Sequence, residues 1–421
     1  MEQLWRQRVT AEYHDTVIIG SGQAGLAMSF HLQERGREHV LLERSRIGER
    51  WRSERWNSLH FQFPNWSIQL PGMSYAGTDP DGFSHHTDIT RFIENYASRI
   101  NAPVKENSEV TVLRWDDIKR QYRIETSNSV MSATNVVIAT GPFQRPHIPA
   151  FSESLSPSIY QTDASHYLNP QRLPPGAVLV VGSGASGCQI ADELYHSGRT
   201  VYLSVSHHRR VPRRYLGKDM FWWFQKLGRF DVKIDTFPRR KFPPSTIVTG
   251  IGGGYDVDIR RYVRDGVRVL GHIEGASDFE FTVASDANEI LIEADEAYLN
   301  FVASADKLKA KLHLRTSFLE DDKPSLHDPA GDIIAEPTLN LRHANIRSVV
   351  WATGHRFDFS WVKLPVFDAA GAPIQNRGVT SCPGLYFLGL HWMHTFKSGL
   401  LSFVGEDAAY LAQFMDVEPR G

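Results

Sequence analysis

Cysteine is almost absent: the chain holds two, Cys188 and Cys382, far apart in sequence. That excludes a disulfide framework and a C-x-x-C dithiol centre. Long apolar runs are also missing. No segment approaches the roughly 20 residues a helix needs to span a bilayer. Residues 1–8 lack the apolar stretch and small-residue cleavage site of a secretory leader. A cytoplasmic location, with no membrane partner, is therefore expected. Nor does either sign of charge dominate. Forty-six basic and 48 acidic residues leave a net charge of -2, which argues against nucleic acid or an anionic surface as a bulk partner. Neither His85 with His86 nor His207 with His208 has a cysteine or carboxylate at ligand spacing. No metal site is expected, and both pairs read as exposed loop histidines.

What is present is an ordinary globular composition, 41% hydrophobic and 22% charged. At 421 residues the chain exceeds one comfortable core, so two or three domains are expected. The first organised element is Asp15-Thr-Val-Ile-Ile-Gly-Ser-Gly-Gln-Ala-Gly25. A short β-branched run of the kind buried in parallel sheets enters Gly20, Gly22 and Gly25, spaced G-x-G-x-x-G, and then a helical segment from Leu26. The glycines allow a tight turn, a close approach of backbone to pyrophosphate, and close helix–strand contact. The helix N-terminus offers free N–H groups to the phosphates. A second strand, His39-Val-Leu-Leu-Glu43, ends in a carboxylate 18 residues after Gly25, placed to accept from a ribose hydroxyl. This unit, with Ser21, Gln23 and Ala24 in its loop, reads as a dinucleotide site.

The device recurs. Ala177-Val-Leu-Val-Val181 runs into Gly182, Gly184 and Gly187 at the same spacing, with Ser183 and Ser186 in the loop. The following strand, Thr200-Val-Tyr-Leu-Ser204, puts serine where the first unit has Glu43, and Arg209, Arg210, Arg213 and Arg214 follow. A carboxylate would repel the 2′-phosphate of NADPH, whereas an arginine past the strand would bind it. Arg209 is the first choice and Arg210 the second. The acid-ended unit suits FAD and the basic one NADPH, so a hydride passing from one to the other is the natural use. The first glycines of the two loops lie 162 residues apart. An α/β architecture is therefore expected: two Rossmann-like domains, the NADPH domain inserted into the FAD domain. The expected boundaries are 1–155 and 335–421 for FAD and 156–334 for NADPH.

Further segments carry a resemblance. Gly48-Glu-Arg-Trp-Arg-Ser-Glu-Arg-Trp-Asn-Ser-Leu59, Ala139-Thr-Gly141, Trp351-Ala-Thr-Gly354, Pro383-Gly-Leu-Tyr-Phe-Leu-Gly389 and Ser398-Gly-Leu-Leu-Ser-Phe-Val-Gly-Glu-Asp407 join the two glycine loops. Together they resemble the class B flavin monooxygenases, most closely the bacterial CzcO-like branch, over nearly the whole chain. The resemblance implies FAD and NADPH as cofactors, and a small organic substrate and molecular oxygen as partners; a homodimer is the candidate assembly. It implies oxygenation through a flavin C4a-hydroperoxide, at nitrogen or sulfur. It places Arg44, Trp51, Val110, Ala139, Thr140 and Gly141 with the FAD loop, and Thr353 and Gly354 with the NADPH unit. The stretches His391-Trp-Met-His-Thr-Phe-Lys397 and Phe221-Trp-Trp-Phe224 are expected around the substrate, with Trp392, His394 and Lys397 as its wall; core packing is the stronger reading of Trp222 and Trp223. Ser398 to Phe403 is expected to open the last helix.

Two departures matter. The group's motif F-x-G-x-x-x-H-x-x-x-(W/Y/P) has its counterpart in Tyr160-Gln-Thr-Asp-Ala-Ser-His-Tyr-Leu-Asn-Pro170. His166 and Pro170 fit, but Tyr160 and Thr162 stand where the motif has phenylalanine and glycine, which lowers Baeyer–Villiger oxidation to an alternative. A loop of form L-x-x-N-x-P reads here Leu59-His-Phe-Gln-Phe-Pro64, so Gln62 stands for the flavin-facing asparagine. Its amide keeps the same donors and acceptors on a longer arm and is the candidate catalytic group. A flavin reductase and a non-catalytic nucleotide-binding regulator are the remaining rivals.

Overall fold

The computed structural model describes residues 12–236, 243–313, 333 and 335–415. Two twisted sheets divide the chain. The first contains β1 (Glu12–Ile19), β2 (His39–Leu42), β3 (Val104–Lys105), β4 (Val110–Asp116), β5 (Gln121–Thr126), β6 (Val130–Ile138) and, from the far end of the chain, β12 (Leu385–Phe387). Its order is β3-β2-β1-β6-β5-β4. β1 runs parallel to β2 and β6, while β12 joins the C-terminal half of β6 in parallel, Leu385 against Val136. All four residues of β2 are buried, as expected of a strand covered on both faces. Helix α1 (Gln23–Glu34) is buried from Ala24 to Ser29 and packs against α6 (Val404–Ala412). Small residues on α1 permit that contact. α6 begins at Val404, so residues 398–403 form turns before the helix rather than its first turn.

The second sheet is wholly parallel: β7 (Tyr160–Asp163), β8 (Ala177–Val181), β9 (Val201–Ser204), β10 (Arg268–Leu270) and β11 (Ile346–Trp351), in the order β7-β11-β8-β9-β10. β8 leads into α3 (Ala185–His196), just as β1 leads into α1. One expected boundary changes. β11 pairs inside the second sheet, Val349 against Leu179, so the chain leaves this unit after Trp351 and not at 335. The two crossovers lie side by side. Arg145 and Pro146 pair antiparallel with Arg356 and His355, and Thr353 Oγ1 donates to the His147 carbonyl.

Candidate dinucleotide and substrate cavity

Between the units lies a cavity of about 560 Å³. Gly20 holds φ at +105°, and a β-carbon there would lie 2.7 Å from the Ala139 carbonyl oxygen. One at Gly25 would lie 1.9 Å from Gly20 O. These two glycines shape the protein itself. Gly22 differs: a β-carbon would meet nothing within 4 Å, so the space beside it is left for a ligand. Helix α1 starts there with no side-chain cap and no acid in its first turn, which leaves its N–H groups to an anion. Glu43 is pre-set: its Oε2 accepts from Ser21 N (3.0 Å) and Oγ (3.1 Å), and Oε1 from Ser45 N at 3.0 Å. Oε1 keeps a lone pair for a ribose hydroxyl.

Gly20, Gly22, Gln23, Ala24, Glu43 and Arg44 line this cavity, as do Trp51, Val110, Ala139, Thr140 and Gly141. Ser21 and Gly25 stand behind it, as anchor and packing contact. Gln23 donates to Gly399 O at 2.8 Å, tying the C-terminal segment across the loop. The uncapped helix, the open Gly22 and the preset carboxylate fit the pyrophosphate and ribose of FAD.

The second loop repeats the plan. A β-carbon at Gly182 would lie 2.6 Å from Ala352 O and one at Gly187 would lie 1.8 Å from Gly182 O, while Gly184 faces only Ser245 Oγ at 3.9 Å. α3 likewise starts uncapped with no acid in its first turn, and Ser186 reaches into the large cavity. The role of the missing acid falls to a different serine. Ser204 is buried and donates to Gly271 O. It is Ser206 whose Oγ accepts from Ser183 N at 3.2 Å, as Glu43 accepts from Ser21, and Ser183 Oγ lies 3.0 Å from His208 Nδ1. A neutral hydroxyl thus stands where a carboxylate would repel the 2′-phosphate.

Arg209 and Arg210 part company. Both lie on the short strand His208–Arg210, paired with Ser245–Ile247, where neighbours point to opposite faces. Arg210 is buried, ion-paired to Asp258 (2.9 Å) and Asp295 (3.2 Å), and stacked over Tyr298, so it builds the protein and is corrected as a cofactor ligand. Arg209 is half-buried and, among the described residues, has no carboxylate at pairing distance; burial and nearby Arg229 push its guanidinium down. Arg229, exposed and absent from the sequence argument, is therefore its natural companion for a phosphate. Arg213 is buried against Asp219 and donates to the Gln62 carbonyl at 2.7 Å. Arg214 bonds the carbonyls of Gly253 and Gly254. Thr353 and Gly354 do not reach the cavity, but His355 directly after them does.

At the apolar end, Gln62 is half-buried in the wall with Trp51, Phe61, Phe63 and Leu400. Trp51 meets Phe61 edge-on at 6.0 Å. The substrate stretches need correction. His394 and Lys397 line a separate charged cavity of about 190 Å³, where Lys397 Nζ lies 2.8 Å from both Asp231 and Glu406. Trp392 borders neither cavity and packs on Phe396 at 5.1 Å. Phe221, Trp223 and Phe224 are buried in an aromatic cluster instead. His391 alone of that C-terminal stretch opens into the large cavity. Arg55, Phe143, Ser165 and His355 join it there, all missed in sequence although Phe143 and His355 lie two and one residues past the two Ala-Thr-Gly turns. The histidine pairs also differ from expectation. His86 is buried with Nδ1 2.9 Å from Trp51 O, and His208 is buried against the second loop, beside Ser183.

Two uncapped helix starts, one strand followed by a carboxylate and one followed by a hydroxyl fit a flavin oxidoreductase with separate FAD and nicotinamide sites. Residues 17–216 match the family model described as pyridine nucleotide-disulphide oxidoreductase. A CzcO-like oxidoreductase of Geobacillus kaustophilus is 35% identical over 404 residues, covering 94% of this chain and 97% of that protein. The CzcO oxidoreductase of Bacillus subtilis is 31% identical, over 96% of this chain and all of that one. A flavin-containing monooxygenase from Stenotrophomonas maltophilia shares the fold, with a TM-score of 0.65 at 18% identity over 96% of this chain and 98% of that one. The chain belongs to the CzcO-like oxidoreductases, shares the fold of the flavin monooxygenases, and its cofactors are FAD and NADPH. No helix among the described residues is long and apolar enough to cross a membrane.

Proposed function

We propose that the protein oxygenates a small organic substrate at nitrogen or sulfur. NADPH and a proton supply the reducing equivalents; one atom of O2 goes to the substrate and the other leaves as water. Bound FAD would relay the electron pair to oxygen. The observation that carries this reading is the single cavity reached by both Gly22 and Ser186, with neither cysteine in its wall. A hydride delivered there has no dithiol to receive it. Cys188 is buried behind the second loop, donating to Ser183 O, with its thiol held protonated by burial.

The chain's own groups have definite tasks. The N-termini of α1 and α3 bind the two pyrophosphates, and Glu43 orients the FAD ribose. Arg209 with Arg229 holds the 2′-phosphate. Trp51, Phe61 and Phe63 keep water from the reacting end. Gln62, its backbone fixed by Arg213, offers an amide donor and acceptor into that dry region. Thr162, where the Baeyer–Villiger motif has a glycine, supports a heteroatom target over a ketone. The test is NADPH-dependent oxygen uptake against amines, thioethers and ketones, with products weighed after reaction under ¹⁸O2. One labelled oxygen on an amine or thioether is the expected result. Labelled esters from ketones would overturn the choice of atom, and NADPH oxidation yielding only peroxide with every substrate would overturn the oxygenase reading.

A further inference from the structure

Four arginines line the large cavity: Arg44, Arg50, Arg55 and Arg145. Three are ion-paired. Arg44 and Arg50 share Glu54, at 3.2 and 2.6 Å, and Arg145 pairs with Asp358. Arg55 has, among the described residues, only a main-chain partner, the carbonyl of Glu54 at 2.6 Å. Its guanidinium lies over two cavity-lining rings, 5.1 Å from Trp51 and 5.6 Å from Phe143. Neutral donors stand nearby. His355 Nε2 is 3.0 Å from Ser165 Oγ, and the rings of His355 and His391 each meet Phe143 at 5.1 Å.

The other anions of the reaction already have sites. The FAD pyrophosphate faces α1, the NADPH pyrophosphate faces α3, and the 2′-phosphate faces Arg209 and Arg229. Arg55 is the one of the four with no carboxylate at ion-pair distance among the described residues, and Arg44, Arg50 and Arg55 have only Glu54 between them, so positive charge is left over beside the aromatic faces. A desolvated guanidinium without a counter-charge is costly unless a ligand supplies one. We infer that Arg55 is a specificity-determining residue that binds the carboxylate of the organic substrate, with Trp51 and Phe143 flanking a planar apolar body. Guanidinium and carboxylate match as a two-point fork. Burial pushes the guanidinium down to about 10, which leaves it charged at neutral pH. The inference rests on the monooxygenase reading for the word substrate, but the binding it describes needs no turnover.

The test uses oxidised, FAD-loaded protein and reads the visible flavin spectrum during titration with benzoate, benzyl alcohol and NADP+. Benzoate is expected to perturb the spectrum. Arg55→Gln should weaken its binding by about tenfold or more, leaving benzyl alcohol and NADP+ within about twofold. Arg55→Lys, which keeps charge but loses the fork, should fall between, and stoichiometric FAD in both variants shows that the cavity has formed. Benzoate bound equally by parent and Arg55→Gln, or not at all by the parent, overturns the inference. So does a parallel loss of NADP+, which would place Arg55 on the dinucleotide. Protein that binds benzoate through Arg55 yet never oxygenates anything would refute the oxygenase reading and leave this one standing.

Discussion

Gly22 and Gln62 are the residues whose roles are most cleanly separable from folding. Gly22 sits in extended backbone, φ -77° and ψ -171°, which valine also adopts, and a side chain there meets no protein atom within 4 Å. Gly22→Val is therefore expected to fold, to give a normal circular-dichroism spectrum, and to purify colourless because the pyrophosphate can no longer approach. A yellow variant with stoichiometric flavin would remove the first loop from the FAD site. Gln62→Leu keeps bulk and removes the amide. A lost hydrogen bond of about 0.5–1.5 kcal/mol corresponds to roughly two- to tenfold in a rate. That loss should appear as hydrogen peroxide released at the expense of product, while anaerobic flavin reduction by NADPH stays near the parent rate. Unchanged coupling would make Gln62 plain wall. The place of both in the cavity wall was legible in sequence because their signals are local. Arg55 was not, since only the fold shows that three neighbouring arginines touch Glu54 or Asp358 carboxylates while it touches only a carbonyl.

The short strand His208–Arg210 shows why elements must be known before residues can be assigned. Read as a loop, its two arginines are interchangeable; as a strand they face opposite ways. Arg209→Ala should weaken NADPH binding by roughly 10- to 150-fold (about 1.5–3 kcal/mol for a charge-assisted bond, at about 1.4 kcal/mol per decade). NADH kinetics should hardly change. Arg210→Ala should instead lower thermal stability, having stranded Asp258 and Asp295. Equal losses for NADPH and NADH in Arg209→Ala would show another phosphate ligand. Strand–glycine–helix units declare themselves in sequence because their spacing is contiguous. The membership of β11 does not, since Ser348-Val-Val-Trp351 is a buried strand that either sheet could accept, and only pairing with β8 decides it.

For the molecule as a whole, the contact between units has a charged pin. Glu193 on α3 accepts from Ser58 Oγ and from the buried Tyr167 hydroxyl, both at 2.7 Å. Burial and the Glu193 carboxylate hold that phenol protonated far above the ordinary range. Glu193→Ala would leave Tyr167 OH without its acceptor, a loss of about 1–3 kcal/mol. At roughly 2–4 °C per kcal/mol for a unit of this size, the melting midpoint should drop by several degrees, more than in Glu193→Gln. An unchanged midpoint would show that the pin does not hold the units. The two-unit plan followed from the order of the glycine loops, but the pin did not, because Ser58, Tyr167 and Glu193 are brought together only by packing. The paired crossovers at Arg145–Pro146 and His355–Arg356 have a last consequence. The nicotinamide unit enters and leaves by one doorway, so it is a cassette. A relative's unit, spliced at those two crossovers, would meet the same ladder and need no new linker, which opens coenzyme preference to exchange without rebuilding the flavin domain.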